Sequence, residues 1–358
     1  MLIRLPSVYL GTMTFGWRGQ TSSFVDTPIA SKMIEAFLDS QKEEQAVHID
    51  CARIYAGGDS EKILRDAMAG SVTNKSPALL VGTKAHPSQP DGLSEKGLMQ
   101  QLEKSFDALG VASVDEYYLH QPDENNSLLE SLQTCDKLIK QGKISSIGMS
   151  NYHASEVQRA FDLCAEHSLA KPTVYQGLYN PLNRCIETDL LPVLRKNGCK
   201  FIAYNPLAAG LLTGKHLSTG DVKEGRFKNN PNYLPRFYTP VHFEALTLIQ
   251  AACNDSNLSM VEATYIWLMR HSALDSSNGD GILLGASSIE QLEQNLNSCA
   301  LAKETGLPSP LVDAFDNAWE LISSDEERPF PYWRSYSADM PDKDNLDQGA
   351  SYNAAKAK

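Results

Sequence analysis

Eight short runs rich in Val, Ile, Leu and Tyr recur along the chain, each separated from the next by a segment of helical spacing. They are Val8–Met13, Val47–Ala52, Leu79–Lys84, Val114–His120, Ile144–Ser150, Thr173–Tyr179, Lys200–Tyr204 and Gly281–Gly285. Between them, Ser94–Leu109 places Leu98, Leu102, Phe106 and Leu109 on one helical face. Ser127 and Glu130 have the spacing of a capping box at the head of another helix. A strand that returns to its sheet through a helix runs parallel to its predecessor with a right-handed crossover. Eight such units is the count of a (β/α)8 barrel. A doubly wound sheet would open with G-x-G-x-x-G after an early strand, and that motif is absent. The expected fold is therefore α/β: one (β/α)8 TIM barrel domain over residues 1–334, with a long basic loop after strand 7 and extra C-terminal helices.

Three regions interrupt the rhythm. Pro206–Pro240 lacks strong periodicity and carries Lys215, Lys223, Arg226, Lys228 and Arg236 against Asp221 and Glu224, a local excess of positive charge in a chain of net charge −12. A long unpatterned insert in a compact domain is usually functional or disordered, and its charge favours function. Helical stretches near His242–Cys253 and Ser259–His271 precede the last strand. Ser335–Lys358 is polar, ends in NAAKAK and reads as a disordered tail.

The acidic balance excludes general nucleic-acid affinity, which requires clustered Lys and Arg. No run approaches the ~20 apolar residues of a membrane span, and no secretory signal is evident at the N-terminus. Seven scattered cysteines without a C-x-x-C pair fit a reduced, cytoplasmic protein rather than a disulfide framework or zinc site. No H-x-x-x-H pair suggests a metal. GLLTGK (Gly210–Lys215) fails the P-loop spacing and is followed by His216.

In a barrel, chemistry sits where strands end. Those positions collect Asp50, Lys84, His120, Asn151, Gln176 and Tyr204, with Tyr55 on the loop beyond Asp50. A lysine closing an apolar run needs a partner, and Asp50 is the obvious one. A phenol ordinarily holds its proton to pH ~10, and an ammonium within ~4–6 Å favours the phenolate. Asp50 holding Lys84, Lys84 tuning Tyr55 and His120 orienting a carbonyl oxygen form an assembly suited to carbonyl reduction. Ser287 and Ser288 end a strand and open a helix, where backbone N–H groups favour an anion.

The strings HIDCARIYAGGDSE, VGTKA, DEYYLHQPD, IGMSNY, VYQGLYNPL, AYNPLAAGLLTGK and LGASSIEQLEQN, in order over residues 8 to 334, resemble the aldo-keto reductase superfamily, most closely its aflatoxin-aldehyde and succinic-semialdehyde reductase branch. The resemblance implies an NADPH-dependent aldehyde reductase that binds NADPH/NADP+ in an extended conformation, acts on a small aldehyde bearing a carboxylate or second carbonyl, and forms a homodimer. It assigns Asp50, Tyr55, Lys84 and His120 as the catalytic tetrad, Tyr55 being the proton donor. For the cofactor it implies Met13 and Asp50, then Ser150, Asn151 and Gln176 at the nicotinamide carboxamide and Tyr204 stacked on the ring. Asn205, Pro206, Leu207, Gly210, Leu212, Gly214 and Lys215 match the segment over the pyrophosphate, with Arg226 beside it. Gly285, Ser287, Ser288, Gln291 and Asn295 match the adenosine and 2′-phosphate site. Tyr233, Arg236 and Arg334, with His120, resemble the substrate contacts. Ala209 stands where the branch commonly has Gly, and Ser287 and Gln291 where many members carry Lys and Arg. Two other readings compete: an NADPH-binding auxiliary subunit of potassium channels, built on the same barrel with little turnover, and a Schiff-base lyase using Lys84.

Overall fold

A computed structural model of the chain describes residues 4–18, 23–72, 76–215, 227, 233–325 and 329–350. The elements run β1 (Ser7–Gly11), α1 (Thr27–Ser40), β2 (Ala46–Asp50), α2 (Asp59–Ser71), β3 (Ala78–Ala85), α3 (Glu95–Leu109), β4 (Val114–Leu119) and α4 (Leu128–Lys140). They continue through β5 (Ile144–Ser150), α5 (Ala154–Glu166), β6 (Val174–Leu178), α6 (Leu190–Asn197), β7 (Lys200–Tyr204), α7 (Leu234–Phe237), α8 (Pro240–Asp255) and α9 (Met260–Arg270). The chain then forms β8 (Gly281–Leu284), α10 (Ile289–Glu304) and α11 (Ser309–Ser323). The eight strands are parallel and close into a barrel in sequence order, β8 pairing with β1 through Ser7 and Gly281. Each of the eight apolar runs is a strand, and the fold is the (β/α)8 barrel expected. The helices expected near His242–Cys253 and Ser259–His271 are α8 and α9, and α11 packs on α8.

Strand periodicity divides the side chains. Tyr117 of β4 points outward and donates from its hydroxyl to the Leu98 carbonyl of α3, at 2.9 Å. Its neighbour Tyr118 is turned to the interior, as alternation requires. Contacts between strands that are not sheet neighbours pass through that interior. Lys200 of β7 donates to Tyr9 of β1 and to Glu116 of β4, both at 2.8 Å. Gln176 of β6 donates to Asp50 of β2 at 3.0 Å.

The interior is thus tiered. Near the N-terminal ends of the strands, Glu116 gathers Lys200, His48, Tyr9 and Tyr118. The Tyr118 hydroxyl donates to Glu116 at 2.6 Å, and Lys84 of the next tier lies 5.3 Å from the Tyr118 ring centroid. Tyr118 is therefore the floor beneath the Lys84 ammonium. It occupies this place because β5 offers Gly148 opposite, where a Cβ would lie 2.3 Å from the Tyr118 ring.

Two sequence expectations need correction. Ser127 caps α4, but its capping box is half formed: the Glu130 carboxylate accepts from the Glu95 N–H instead of returning to the cap. The chain after Arg334 is not a disordered tail as far as residue 350. Tyr336 and Ser337 are buried, and Ser337 and Ala338 are hydrogen-bonded to the barrel. Residues 351–358 lie outside those described.

Gly148→Ala forces the new methyl into the Tyr118 ring, an overpacking that should destabilise the fold by about 1–3 kcal/mol. Urea denaturation checks this, and an unshifted midpoint would show that the floor has room to yield.

Candidate active site

Asp50, Lys84 and His120 lie at the C-terminal ends of β2, β3 and β4, and their side chains meet in the mouth of the barrel. Lys84 is fully buried. Its ammonium reaches Asp50 Oδ1 and Oδ2 at 2.6 Å each and the Cys51 carbonyl at 2.7 Å. Three acceptors for three N–H donors leave no proton of Lys84 unsatisfied. This geometry engages the whole amine head and opposes its use as a free nucleophile, so the Schiff-base reading loses its basis. Burial pushes the Asp50 carboxyl up, against the downward pull of the Lys84 charge and the Lys84 and Gln176 hydrogen bonds.

Tyr55 opens a 3₁₀ turn, Tyr55–Gly58, just past β2. The Lys84 nitrogen is 5.2 Å from the Tyr55 ring centroid, and the His120 ring meets the Tyr55 ring edge-on at 5.9 Å. The turn is pinned from below: Arg53 pairs with buried Glu61 of α2, which accepts from Thr83 of β3 at 2.7 Å. Arg53 and Glu61 escape a sequence reading, because only their i, i+8 contact across the turn reveals the role.

His120 holds a neutral imidazole. Burial, the His86 ring and the charges of Lys84 and Arg334 keep its pKa well below the usual range. His86 packs edge-on against it at 5.1 Å, and its own pKa is lowered to about 4 by burial and Arg334. His86 is a site residue that the sequence reading passed over. Its position two residues beyond Lys84, on the same face of the strand's continuation, is the available signal.

The next strands complete the mouth. Asn151, in a left-handed conformation at φ 64°, donates to the His120 carbonyl and to Ser150 Oγ, both at 2.9 Å. The Tyr204 hydroxyl donates to Asn151 Oδ1 at 2.8 Å. Gln176 lies between Asp50 and these groups, with its amide nitrogen on Asp50. Met13 follows β1, where Thr12 and Thr14 on either side bind the Asp50 and Ala286 carbonyls.

Beyond Tyr204 the backbone takes strained shapes. Asn205, Ala208, Ala209 and Gly210 all have positive φ, Ala209 at 58°. That is a conformation a glycine adopts freely and an alanine does not, and such strain concentrates at functional sites. Within this turn Pro206 and Leu212 are buried, Leu207 and Gly214 are part-exposed, and Lys215 is exposed. Arg226 lies outside the described residues. On the far side of the mouth, Gly285 faces open space. Ser288 caps α10 through the Gln291 N–H, and Asn295 reaches back to the Gly285 carbonyl at 3.4 Å. Gln291 Oε1 accepts from both the N–H and the hydroxyl of Ser287, at 3.0 Å each. A neutral acceptor thus sits on donors of the kind that bind phosphate oxygens.

Arg236 and Arg334 are buried to within 4% and 8% exposure; burial raises the pKa of Tyr204, and both guanidinium charges oppose that rise. Arg236 also packs over the rings of Phe330, at 4.7 Å, and Tyr233, at 5.4 Å. The structure therefore gathers the two arginines and Tyr233 around the same ring. A separate cavity of about 420 Å³, lined by His48, Glu116, Ser146, Thr173 and Lys200, opens at the other end of the strands. Its Glu116 pairs with Lys200 and His48, at the opposite end of the strands from Asp50 and Lys84. Among the described residues no His, Cys, Asp and Glu cluster suits a metal, and no helix is long and apolar enough to cross a membrane.

A barrel whose mouth combines a buried Asp–Lys pair with a tyrosine and a neutral histidine defines a carbonyl oxidoreductase, and residues 7–305 match the aldo/keto reductase family, to which the chain belongs. It is 39% identical over 328 residues to the rat protein "Aflatoxin B1 aldehyde reductase member 2", covering 89% of this chain and 86% of that one. The human "Aldo-keto reductase family 7 member A3" is also 39% identical, over 89% of this chain and 95% of its own. "Oxidoreductase sirO" of Leptosphaeria maculans is 33% identical over 89% and 95%.

Lys84→Met leaves Asp50 buried without its cation, which should cost about 3–5 kcal/mol of stability. Burial already raises the Asp50 pKa in the parent, and losing the Lys84 charge raises it further, so the carboxyl folds protonated. The deficit is therefore smallest below the ordinary carboxylate range and grows as pH rises. Urea midpoints of parent and variant at pH 5 and pH 8 test the sign: equal gaps at both values would mean that Asp50 does not carry the effect.

Proposed function

We propose that the chain is an NADPH-dependent reductase of small aldehydes, with carboxylate-bearing or dicarbonyl aldehydes as its preferred class. The observation that carries this reading is the Lys84 ammonium, fixed by Asp50 and Cys51 and lying 5.2 Å from the Tyr55 ring. A nicotinamide dinucleotide supplies the hydride for such a reduction. Tyr55 gives the substrate oxygen its proton, and the Lys84 charge stabilises the phenolate left behind. Asp50 keeps that charge in place. His120, neutral, donates a ring N–H to the same oxygen and sets its direction.

The donor set fits the dinucleotide. Ser150, Asn151 and Gln176 present amide and hydroxyl groups for a carboxamide, and Tyr204 is a flat ring held by its bond to Asn151. The turn Asn205–Lys215 covers the pyrophosphate. Gly285, with open space at its α-carbon, and the α10 N-terminus receive the adenosine end. Binding a 2′-phosphate there requires Gln291 to leave Ser287, which exchanges one acceptor for a more strongly charged one. The preference for NADPH over NADH then rests on neutral donors rather than on cations. Arg236 and Arg334 supply planar, two-pronged receptors for a substrate carboxylate. All seven cysteines are free thiols, as in a reducing compartment, and we place the protein in the cytoplasm.

Tyr55→Phe should retain NADPH binding, read by quenching of protein fluorescence, and lose at least about 10²-fold in turnover of succinic semialdehyde; a variant that still turns over excludes Tyr55 as the acid. Because the pKa values of His120 and His86 are lowered, both imidazoles stay neutral as pH falls through the usual histidine range. The kcat profile between pH 6 and pH 8 should accordingly show no histidine inflection, and a rate that falls with an apparent pKa near 6.5 would contradict this protonation state.

A further inference from the structure

The chain does not stop at Arg334. Residues 335–350 leave the barrel mouth and return to it. The Ala350 N–H donates to the Trp333 carbonyl at 2.9 Å, and Trp333 Nε1 and the Tyr336 hydroxyl both donate to the Asp347 carbonyl at 3.4 Å. A loop whose ends meet and whose own side chains pack it is an Ω-loop. Gly349 permits the closure: a Cβ there would lie 2.2 Å from the Arg334 carbonyl oxygen and 2.4 Å from that of Trp333.

Three consecutive residues, Ser337, Ala338 and Asp339, clasp the middle of this loop to the barrel. Asp339 accepts from the Ser127 hydroxyl and the Leu128 N–H, each at 2.8 Å, and pairs with Arg159 of α5 at 2.6 Å. Although burial opposes it, these three partners hold the Asp339 carboxyl down at about 2. The Ser337 N–H donates to buried Glu156 of α5 at 2.9 Å, and the Ala338 N–H to the Asp123 carbonyl, also at 2.9 Å. Asp123 lies three residues past His120 on the same loop. At the start of the Ω-loop, the Arg334 N–H donates to the Asn151 carbonyl at 2.9 Å, while its charge acts on His86, His120 and Tyr204.

We propose that the loop 333–350 is a specificity device: clasped to α4 and α5 by Asp339 and closed at Gly349, it fixes Arg334 where the carboxylate of an anionic aldehyde is received. The inference rests on the reading of Arg334 given under the proposed function. An arginine near a loose chain end samples many rotamers, and ordering it on binding reduces affinity. A loop closed beforehand has already lost that freedom. Asp339 and Gly349 are therefore positioning residues that act through Arg334.

The test compares 2-carboxybenzaldehyde with benzaldehyde, which lacks the charge. Asp339→Ala, Gly349→Val and a chain ending at Arg334 should each raise KM for 2-carboxybenzaldehyde on the order of 10-fold, as for weakening one charged hydrogen bond. Both constants for benzaldehyde should stay at parental values, and so should kcat for the carboxylated substrate. In an Arg334→Gln background, Asp339→Ala should add no further rise, since the group it positions is gone. If the shortened chain does not fold, the two point variants decide the matter. Equal losses on both aldehydes, an unchanged KM in Asp339→Ala and Gly349→Val, or additive effects with Arg334→Gln overturn the proposal. An Arg334→Gln variant that keeps the parental preference for 2-carboxybenzaldehyde overturns instead the carboxylate reading beneath it.

Discussion

Burying a lysine ammonium inside a barrel costs several kcal/mol unless its charge is matched and its hydrogen bonds are met. Lys84 meets both conditions at once, with a carboxylate on two of its protons and a main-chain carbonyl on the third. Much of the surrounding architecture serves this arrangement. Gln176 crosses the barrel to occupy an Asp50 oxygen, and Tyr118 lays its ring under the ammonium. The Tyr118 hydroxyl is in turn bound to Glu116, whose charge is matched by Lys200. Two ion pairs stacked along the barrel axis thus share one tyrosine, and Gly148 exists to make room for it. The position of the Tyr55 ring against Lys84 follows from this stack and from the Arg53–Glu61 pair that sets the turn.

What was legible in the sequence, and what was not, divides by the distance over which the signal acts. The strands were legible because a parallel strand buried on both faces reads as a short, near-continuous apolar run, which is a local signal. Asp50, Lys84, His120, Gln176 and Tyr204 were legible because polar residues at the ends of apolar runs are conspicuous, and barrel topology brings such ends together. The floor was harder: Tyr118 in DEYYLH looks like any strand tyrosine, and only its parity with Lys84 and His120 marks it as interior. The stretch after Arg334 reads as disorder from sequence because its composition is that of a solvated tail. Its order comes from partners just over half the chain away, Asp339 with Arg159 and Ser337 with Glu156. Composition cannot register contacts of that kind. The half-formed capping box at Ser127 has the same origin, since Asp339 takes part of the role the local pattern assigned to Glu130.

The electrostatics of the mouth bring these threads together. The chain carries a net charge of −12, yet the buried cations Lys84, Arg236 and Arg334 stand together at the mouth. Arg236 and Arg334 act on Tyr204, and Lys84 and Arg334 act on His120. The lowered pKa values of His86 and His120, caused first by burial and then by these cations, mean that the imidazoles do not compete for the positive field; they remain neutral donors within it. A locally positive mouth in an acidic body draws anions inward and leaves cations outside. The dinucleotide and the carboxylated aldehyde proposed above would both satisfy that field, while the buried Asp50 carboxyl lies beneath Lys84. Separating the two signs by depth lets the mouth present positive charge and still keep, below it, the carboxylate that holds Lys84 in place.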